Sequence, residues 1–327
     1  MTPEYKALLV SIGSARIDEA LLSHTLKTTA TAGPGAGGSS FFIRSGNRRV
    51  RLSINQASPV RIVADEDGVV VLHEDKVITK AVFEPARCHC PEQAYITISE
   101  RCIYNCKFCP VPKLSGGIKT IDTVIGMIED AQSRGTVKAI SLTSGVAESP
   151  EKEVARVEDM VRTLRDRFDL PIGVSVYPTG TSSEILAAAG ADEIKYNVET
   201  MDPVIFARVC PGLSLEFILT ALEQAAGIFG LNHVFSNFII GLGESDACVR
   251  NGVIQLAETG VIPVLRPISA SPLRTGEVDI SRPTADRLLR LARMERAVLV
   301  DHGLDTRIAK TMCLPCTGCD ITPFRDV

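Results

Sequence analysis

Two groups of cysteines carry most of the chemistry this sequence can do. Cys102-Ile103-Tyr104-Asn105-Cys106-Lys107-Phe108-Cys109 has the spacing C-x3-C-x2-C, and Cys313-Leu314-Pro315-Cys316-Thr317-Gly318-Cys319 has C-x2-C-x2-C. Together they use six of the ten cysteines in the chain. A compact loop of the first kind can point its sulfurs at one metal cluster. Closed iron–sulfur cubes take four thiolates, so a set of three leaves one iron open to another ligand. Zinc would want a fourth protein ligand nearby, and the first loop holds none. The second group, beside Gly and Pro, also reads as a ligand set. A second [4Fe–4S] cluster and a zinc site are both open for it. Its fourth ligand is to be sought at Cys88, His89 or Cys90, or at a non-cysteine group. Cys210 and Cys248 stand alone in the sequence and read as inert, partly buried thiols.

The rest of the composition fits that chemistry. Only five histidines are present in 327 residues, and none forms an H-E-x-x-H pair. A thiolate-rich, histidine-poor chain favours iron–sulfur clusters or structural zinc. Clustered thiols survive as ligands in a reducing compartment, and the first residues show no basic-then-apolar leader, so the cytoplasm is the expected location. The net charge of −4 is spread along the chain and gives no footprint for nucleic acid. No apolar run reaches membrane-spanning length. Hydrophobic residues, at 45%, suffice for a large core.

The elements that position these cysteines fall into three regions, with expected bounds 1–90, 91–270 and 271–327. In the first, a helix around Glu19–Thr28 is followed by the glycine-rich run Gly33–Gly38, read as a mobile loop. Short β-like runs follow at Phe41–Arg44, Val50–Ile54, Val60–Ala64 and Val69–His73, with hairpin turns between them. They predict a small antiparallel appendage. From Gln93 onward, strands alternate with helices. Strands are expected at Ala94–Ser99, Ala139–Thr143, Ile172–Val176, Glu193–Asn197, Val234–Ile240 and Val261–Arg266. Helices are expected at Ile121–Arg134, Glu151–Asp166, Ser182–Ala188, Leu215–Ile228 and Asp246–Glu258, with another at Ala285–Val300 before the cysteine-rich tail. This alternation predicts an α/β fold, a partial (β/α)6 TIM-like barrel. Functional residues should gather at the C-terminal ends of its strands.

The first cysteine motif, directly after the first barrel strand and with aromatic Phe108 before its last cysteine, resembles the signature of the radical S-adenosylmethionine (SAM) superfamily. The resemblance implies a [4Fe–4S] cluster on Cys102, Cys106 and Cys109 that binds SAM and generates a 5′-deoxyadenosyl radical able to attack an unactivated C–H bond. Further positions resemble the superfamily's SAM contacts. Gly241 and Gly243, in Phe238-Ile239-Ile240-Gly241-Leu242-Gly243-Glu244, stand where backbone packs on the adenine. Ser144 stands in the element that binds the SAM amino group, and Ser175 and Tyr177 end the third strand within reach of the ribose.

Asn197-Val198-Glu199-Thr200 resembles the Asn-x-Glu-Thr of the biotin synthase and lipoyl synthase group, and residues 197 and 199 share one face of their strand. The likeness covers about Gln93 to Pro272. Typical lipoyl synthases carry their second cluster on an N-terminal C-x4-C-x5-C that this chain lacks. The C-terminal cysteines look more like a component of the two-component, archaeal-type lipoyl synthase. That resemblance implies an auxiliary [4Fe–4S] cluster on Cys313, Cys316 and Cys319 as sulfur donor to a protein-bound octanoyl chain. It also implies a lipoyl-carrier substrate, a homologous radical SAM partner and an electron donor such as ferredoxin or flavodoxin. Arg266, Arg274 and Arg307 are candidates to hold a carboxylate or carbonyl oxygen at the barrel mouth.

Overall fold

The computed structural model describes residues 1–24, 26–27 and 39–327. The glycine-rich run Gly33–Gly38 lies outside the described residues. The expected helix at Glu19–Thr28 is replaced by a short 3-10 turn, Glu19–His24, and the end of its span also lies outside them.

The N-terminal region consists of α1 (Pro3–Ile12), β1 (Ser14–Ile17), β2 (Leu26–Lys27), β3 (Ser39–Ser45), β4 (Arg48–Ile54), β5 (Val60–Asp65), β6 (Gly68–His73) and β7 (Lys76–Glu84). Its seven strands form one sheet in the order β2-β3-β4-β1-β5-β6-β7. The sheet is mixed, because β1 pairs in parallel with both β4 and β5. The sequence reading missed α1, β1 and β7. β1 has only four residues, too few for alternation to show.

The second region contains β8 (Gln93–Thr97), α2 (Ile121–Ser133), β9 (Ala139–Thr143), α3 (Pro150–Arg167), β10 (Ile172–Ser175), α4 (Ser182–Ala189), β11 (Glu193–Lys195), α5 (Pro203–Val209), α6 (Leu215–Phe229), β12 (Val234–Ile240), α7 (Asp246–Glu258) and β13 (Ile262–Pro267). The six strands are all parallel, in sequence order from β8 to β13. Among the described residues the two edge strands do not pair, so the barrel is partial. Two further helices follow, α8 (Ala285–Asp301) and the single turn α9 (Cys313–Cys316).

Local sequence accounts for these elements. Thr120, Ser149, Ser214 and Ser245 accept a backbone N–H at the starts of α2, α3, α6 and α7. Such caps contribute about 1 kcal/mol each. Helix α6 buries Ile218, Ala221, Leu222 and Ala225, the spacing of a single helical face. Strand β12 is buried along nearly its whole length, as a parallel strand covered on both faces should be. Helix α8 ties the two regions together. Its Leu288, Leu289 and Ala292 pack in the core of the N-terminal sheet, while Leu291, Val298 and Leu299 pack in the barrel core. No described helix is long and apolar enough to cross a membrane.

Candidate active site

The first cysteine loop leaves the C-terminal end of β8 and is pinned from several sides. The Cys102 sulfur accepts the Val146 N–H at 3.4 Å, and Ile103 N–H donates to the Val146 carbonyl at 2.8 Å. Lys107 N–H donates to the Val209 carbonyl at 2.7 Å, at the end of α5. Arg274 donates to the Cys109 carbonyl at 2.6 Å and to the Asn105 side chain at 2.7 Å. Glu277 holds Arg274 from behind at 2.8 Å. Burial pushes the Cys109 thiol up to about 12, so the sulfur remains a thiol until a cation joins it. A sulfur-only donor set in a braced loop at the strand ends fits an iron–sulfur cluster.

The second cysteine group reaches the opposite end of the barrel. Residues 311–313 cross the N-terminal ends of the strands. Thr311 donates through its N–H and its hydroxyl to Glu193, at 2.8 and 2.5 Å. Met312 N–H donates to Ser141 at 2.8 Å, and its carbonyl accepts from Gln93 at 3.0 Å. Gly173 makes room for this crossing, since a Cβ there would stand 2.0 Å from the Thr311 hydroxyl. Met312 turns with φ +60° and Thr317 with φ +54°, a conformation that non-glycine residues adopt at a cost. The N-terminal region, through β4 and α1, supports the loop from below. Arg51 N–H donates to the Gly318 carbonyl at 2.7 Å, Arg49 to the Cys316 carbonyl at 3.2 Å and Lys6 to the Thr317 carbonyl at 2.6 Å.

A cavity of about 220 Å³ runs between the two loops. Phe108, Cys109 and Pro110 line it at the mouth, and Cys313, His89 and Tyr95 line it toward the floor. Ser175, Lys195, Asn197, Glu199, Asn237 and Arg266 form its walls. Burial pushes the Glu199 carboxyl up to about 7, against the pull of Lys195, Asn197 and Arg266. Glu199 also has φ +60°, and such strain concentrates at functional sites.

The cations near the floor are informative. Lys195 is buried and its ammonium is pushed toward neutrality by burial, opposed first by the neighbouring Cys313. Arg266 is also buried; it faces Cys313 and pairs with Asp320 at 3.3 Å. Buried charges need counter-charges, and a thiolate-ligated cluster at the floor would supply them. As the side chains stand, no described group of three or more His, Cys, Asp or Glu converges on a single metal ion.

Of the site residues read from the sequence, Phe108, Cys109, Ser175, Asn197, Glu199, Arg266 and Cys313 share this cavity. Others take different places. Ser144 does not line the cavity, because its hydroxyl donates to Glu153 at 2.5 Å and accepts Ser99 N–H at 3.0 Å. Tyr177 packs at a tilt against Tyr104, with ring centroids 5.0 Å apart. Gly241 allows a close approach, but to this chain's own Ser281 carbonyl, 2.3 Å from where its Cβ would be. Gly243 has φ +108° and likewise does not line the cavity. Arg274 braces the cysteine loop instead of facing the cavity. Arg307 is exposed and chelates Asp305. Cys210 is not isolated: it is buried, and Cys106 together with burial pushes its thiol up.

The sequence reading missed Lys195, Asn237 and Tyr95 as cavity residues. A signal was available for Asn237, which interrupts the mostly apolar strand β12.

A family model described as the radical SAM superfamily matches residues 96–251. Among curated proteins, the ribosomal protein uS12 methylthiotransferase RimO of Prochlorococcus marinus (strain MIT 9312) is 31% identical over 101 residues, which is 29% of this chain and 22% of that protein. The protein of the same name from Syntrophus aciditrophicus (strain SB) is 24% identical over 240 residues, covering 68% of this chain and 52% of its own length. The chain thus spans from about a fifth to half of these relatives. Among solved structures, the FeFe-hydrogenase maturase HydG of Carboxydothermus hydrogenoformans aligns with a TM-score of 0.56 at 18% identity, over 64% of this chain and 51% of that one. Streptococcus suis SuiB, solved bound to S-adenosylmethionine, aligns with a TM-score of 0.52 at 15% identity, over 64% and 48%. These structural likenesses establish the fold.

Proposed function

The chain belongs to the radical SAM superfamily, and we propose that it inserts sulfur at an unactivated carbon, as a lipoyl synthase component acting on a protein-bound octanoyl chain. One observation carries the reading: Cys109 and Cys313, from the two cysteine motifs, line the same cavity. When bound, a cluster with SAM at the mouth supplies a hydrogen-abstracting 5′-deoxyadenosyl radical, and a cluster at the floor supplies sulfide.

The chain's own residues then have distinct tasks. Arg274, through the Cys109 carbonyl, fixes the mouth loop. Ser175, Asn197 and Glu199 offer the donors and acceptors that a zwitterionic sulfonium needs. Phe108, Pro110, Ile239 and Ile268 give the cavity an apolar side for an acyl chain and exclude water from it. Lys195 and Arg266 offset negative charge beside Cys313. Five-residue β8 separates the loops by on the order of 15 Å, a span in which a substrate carbon lies between radical source and sulfur source. A homologous radical SAM partner, a lipoyl-carrier substrate, a ferredoxin or flavodoxin donor and a cytoplasmic location complete the proposal.

A second reading, transfer of a methylthio group to a protein side chain, is favoured by the similarity to uS12 methylthiotransferases. One experiment separates the readings. Anaerobically reconstituted protein is given SAM, a reductant and either an octanoyl-lysyl peptide or a uS12 peptide. 5′-Deoxyadenosine and peptide mass are followed together. An octanoyl peptide heavier by one sulfur supports the proposal. A methylthiolated uS12 peptide replaces it with the second reading. No deoxyadenosine from protein shown to hold its mouth cluster overturns both.

A further inference from the structure

The tail motif supplies only Cys313, Cys316 and Cys319 to the floor of the barrel, and the structure points to the missing ligand. Residues 87–92, ahead of β8, bend and then turn, with Arg87 N–H donating to the Cys90 carbonyl at 3.1 Å. Because the chain turns there, Cys88 and Cys90 part company. Cys88 enters the barrel core beside Asp130 and Arg134, away from the tail. Cys90 points the other way and packs with Cys316 and Phe42 in a small separate cluster. Both Cys90 and Cys316 are buried there, at 1% and 8% exposure. Cys90, Cys313, Cys316 and Cys319 then line one small pocket under the main cavity. The other polar groups there have different attachments. Asp320 pairs with Arg266 and accepts the Thr322 hydroxyl at 2.7 Å. His89 packs on Tyr95, with ring centroids 5.1 Å apart, and faces the cations Arg51, Arg266 and Lys195.

We propose that Cys90 is the fourth thiolate of the tail cluster, which is therefore a closed, four-cysteine [4Fe–4S] centre. This rests on the reading that the tail binds a cluster, and it sharpens that reading. A closed cluster offers no open iron to SAM or substrate. The cavity touches it at Cys313, while Cys90 and Cys316 lie behind, against Phe42 of the N-terminal sheet. The substrate therefore meets the sulfide edge of the centre and not a bare iron. The centre also joins the entry to the first barrel strand to the tail.

The test uses the full chain carrying Cys102→Ala, Cys106→Ala and Cys109→Ala, so that only the tail site remains. After anaerobic reconstitution it should hold about four irons per chain. Mössbauer spectra should show four thiolate-bound irons, stable to mild oxidation. Adding Cys90→Ala should produce one distinct iron, which is lost on mild oxidation to leave a three-iron cluster seen by electron paramagnetic resonance. Adding Cys88→Ala should change nothing. Cys90→Ser, which preserves volume, should fold as the parent does by circular dichroism and still show the distinct iron. Unchanged spectra in Cys90→Ala, or the distinct iron in Cys88→Ala, would overturn the assignment of Cys90 alone. A parent chain with no iron at the tail would overturn the tail-cluster reading together with it.

Discussion

The two cysteine loops hold the same number of sulfurs at opposite ends of one barrel, and they are built in different ways. The mouth loop is a contiguous motif braced by the barrel itself, through Val146, Val209 and Arg274. The floor loop is held by remote pieces: Lys6, Arg49 and Arg51 from the N-terminal region, and Gln93 and Ser141 from the barrel. A site made by one loop tolerates change elsewhere in the chain. A site made at a junction depends on every segment that meets there.

The largest expected effect separates the sites by activity. Cys106→Ala should reduce 5′-deoxyadenosine formation to background. Cys316→Ala should leave SAM cleavage largely intact while abolishing sulfur insertion. Chromatography of deoxyadenosine beside peptide mass measures both, and loss of SAM cleavage in Cys316→Ala would show that the sites are not separable.

The next effect tests the junction. Lys6 and Asp326 pair at 2.5 Å with both side chains almost wholly buried. Lys6→Met leaves Asp326 buried without its cation and should cost about 3–5 kcal/mol in urea unfolding. The variant should lose iron from the floor before the mouth; equal loss from both would remove the distinction drawn here.

A smaller effect concerns the cavity between them. Glu199 titrates at about 7 in the folded chain, against an ordinary value of 4.5. Between those values the folded state holds more protons than the unfolded one, so the contribution of Glu199 to stability falls as pH rises through that window and is level above it. Glu199→Gln should remove that fall. Its stability relative to the parent should improve between pH 5 and 7, by at most about 1.4 kcal/mol per pH unit, when the cluster-free chain is unfolded in urea. A constant difference between variant and parent would place Glu199 in contact with solvent.

The smallest effect lies behind the mouth loop. Cys210→Ala removes a buried thiol that interacts with Cys106. Iron content should be unchanged, and the mouth cluster's reduction potential should shift slightly negative, since hydrogen bonds to ligand sulfurs tune it. Electrochemical titration reads this, and an unchanged midpoint would return Cys210 to plain packing.

The contrast between the loops also explains what the sequence could reveal. The mouth motif and the order of barrel strands and helices follow from local spacing, whereas Asn197 and Glu199 reach the same cavity although β11 ends at Lys195 and Glu199 turns with φ +60°. The pairing of Cys90 with the tail does not follow from spacing either. Strand-like alternation would place Cys88 and Cys90 on one side, and only the turn before β8 sends them apart. Ser144 and Arg307 were misplaced because a side chain's nearest partner, Glu153 or Asp305, is a tertiary or local choice that residue type does not fix. Gly241, expected to pack on the SAM adenine, instead approaches the Ser281 carbonyl of this chain, a tertiary contact that local sequence does not specify. The mixed N-terminal sheet was harder still, since β1 is short and joins its neighbours in parallel across long stretches of chain.

The crossing of Thr311–Met312–Cys313 under the strands has a consequence for how the molecule is made. During synthesis, residues 1–267, carrying the N-terminal sheet and all six barrel strands, precede the segment that seals the barrel floor. Chains fold as they emerge, N-terminal parts first, so Cys90 and its cradle stand ready while the chamber is still open beneath. The tail sulfurs arrive after the whole barrel, and the crossing they follow would then close the floor from that side. For the tail cluster proposed above, order of manufacture would thus set a window for metal loading at the floor, distinct from that at the mouth.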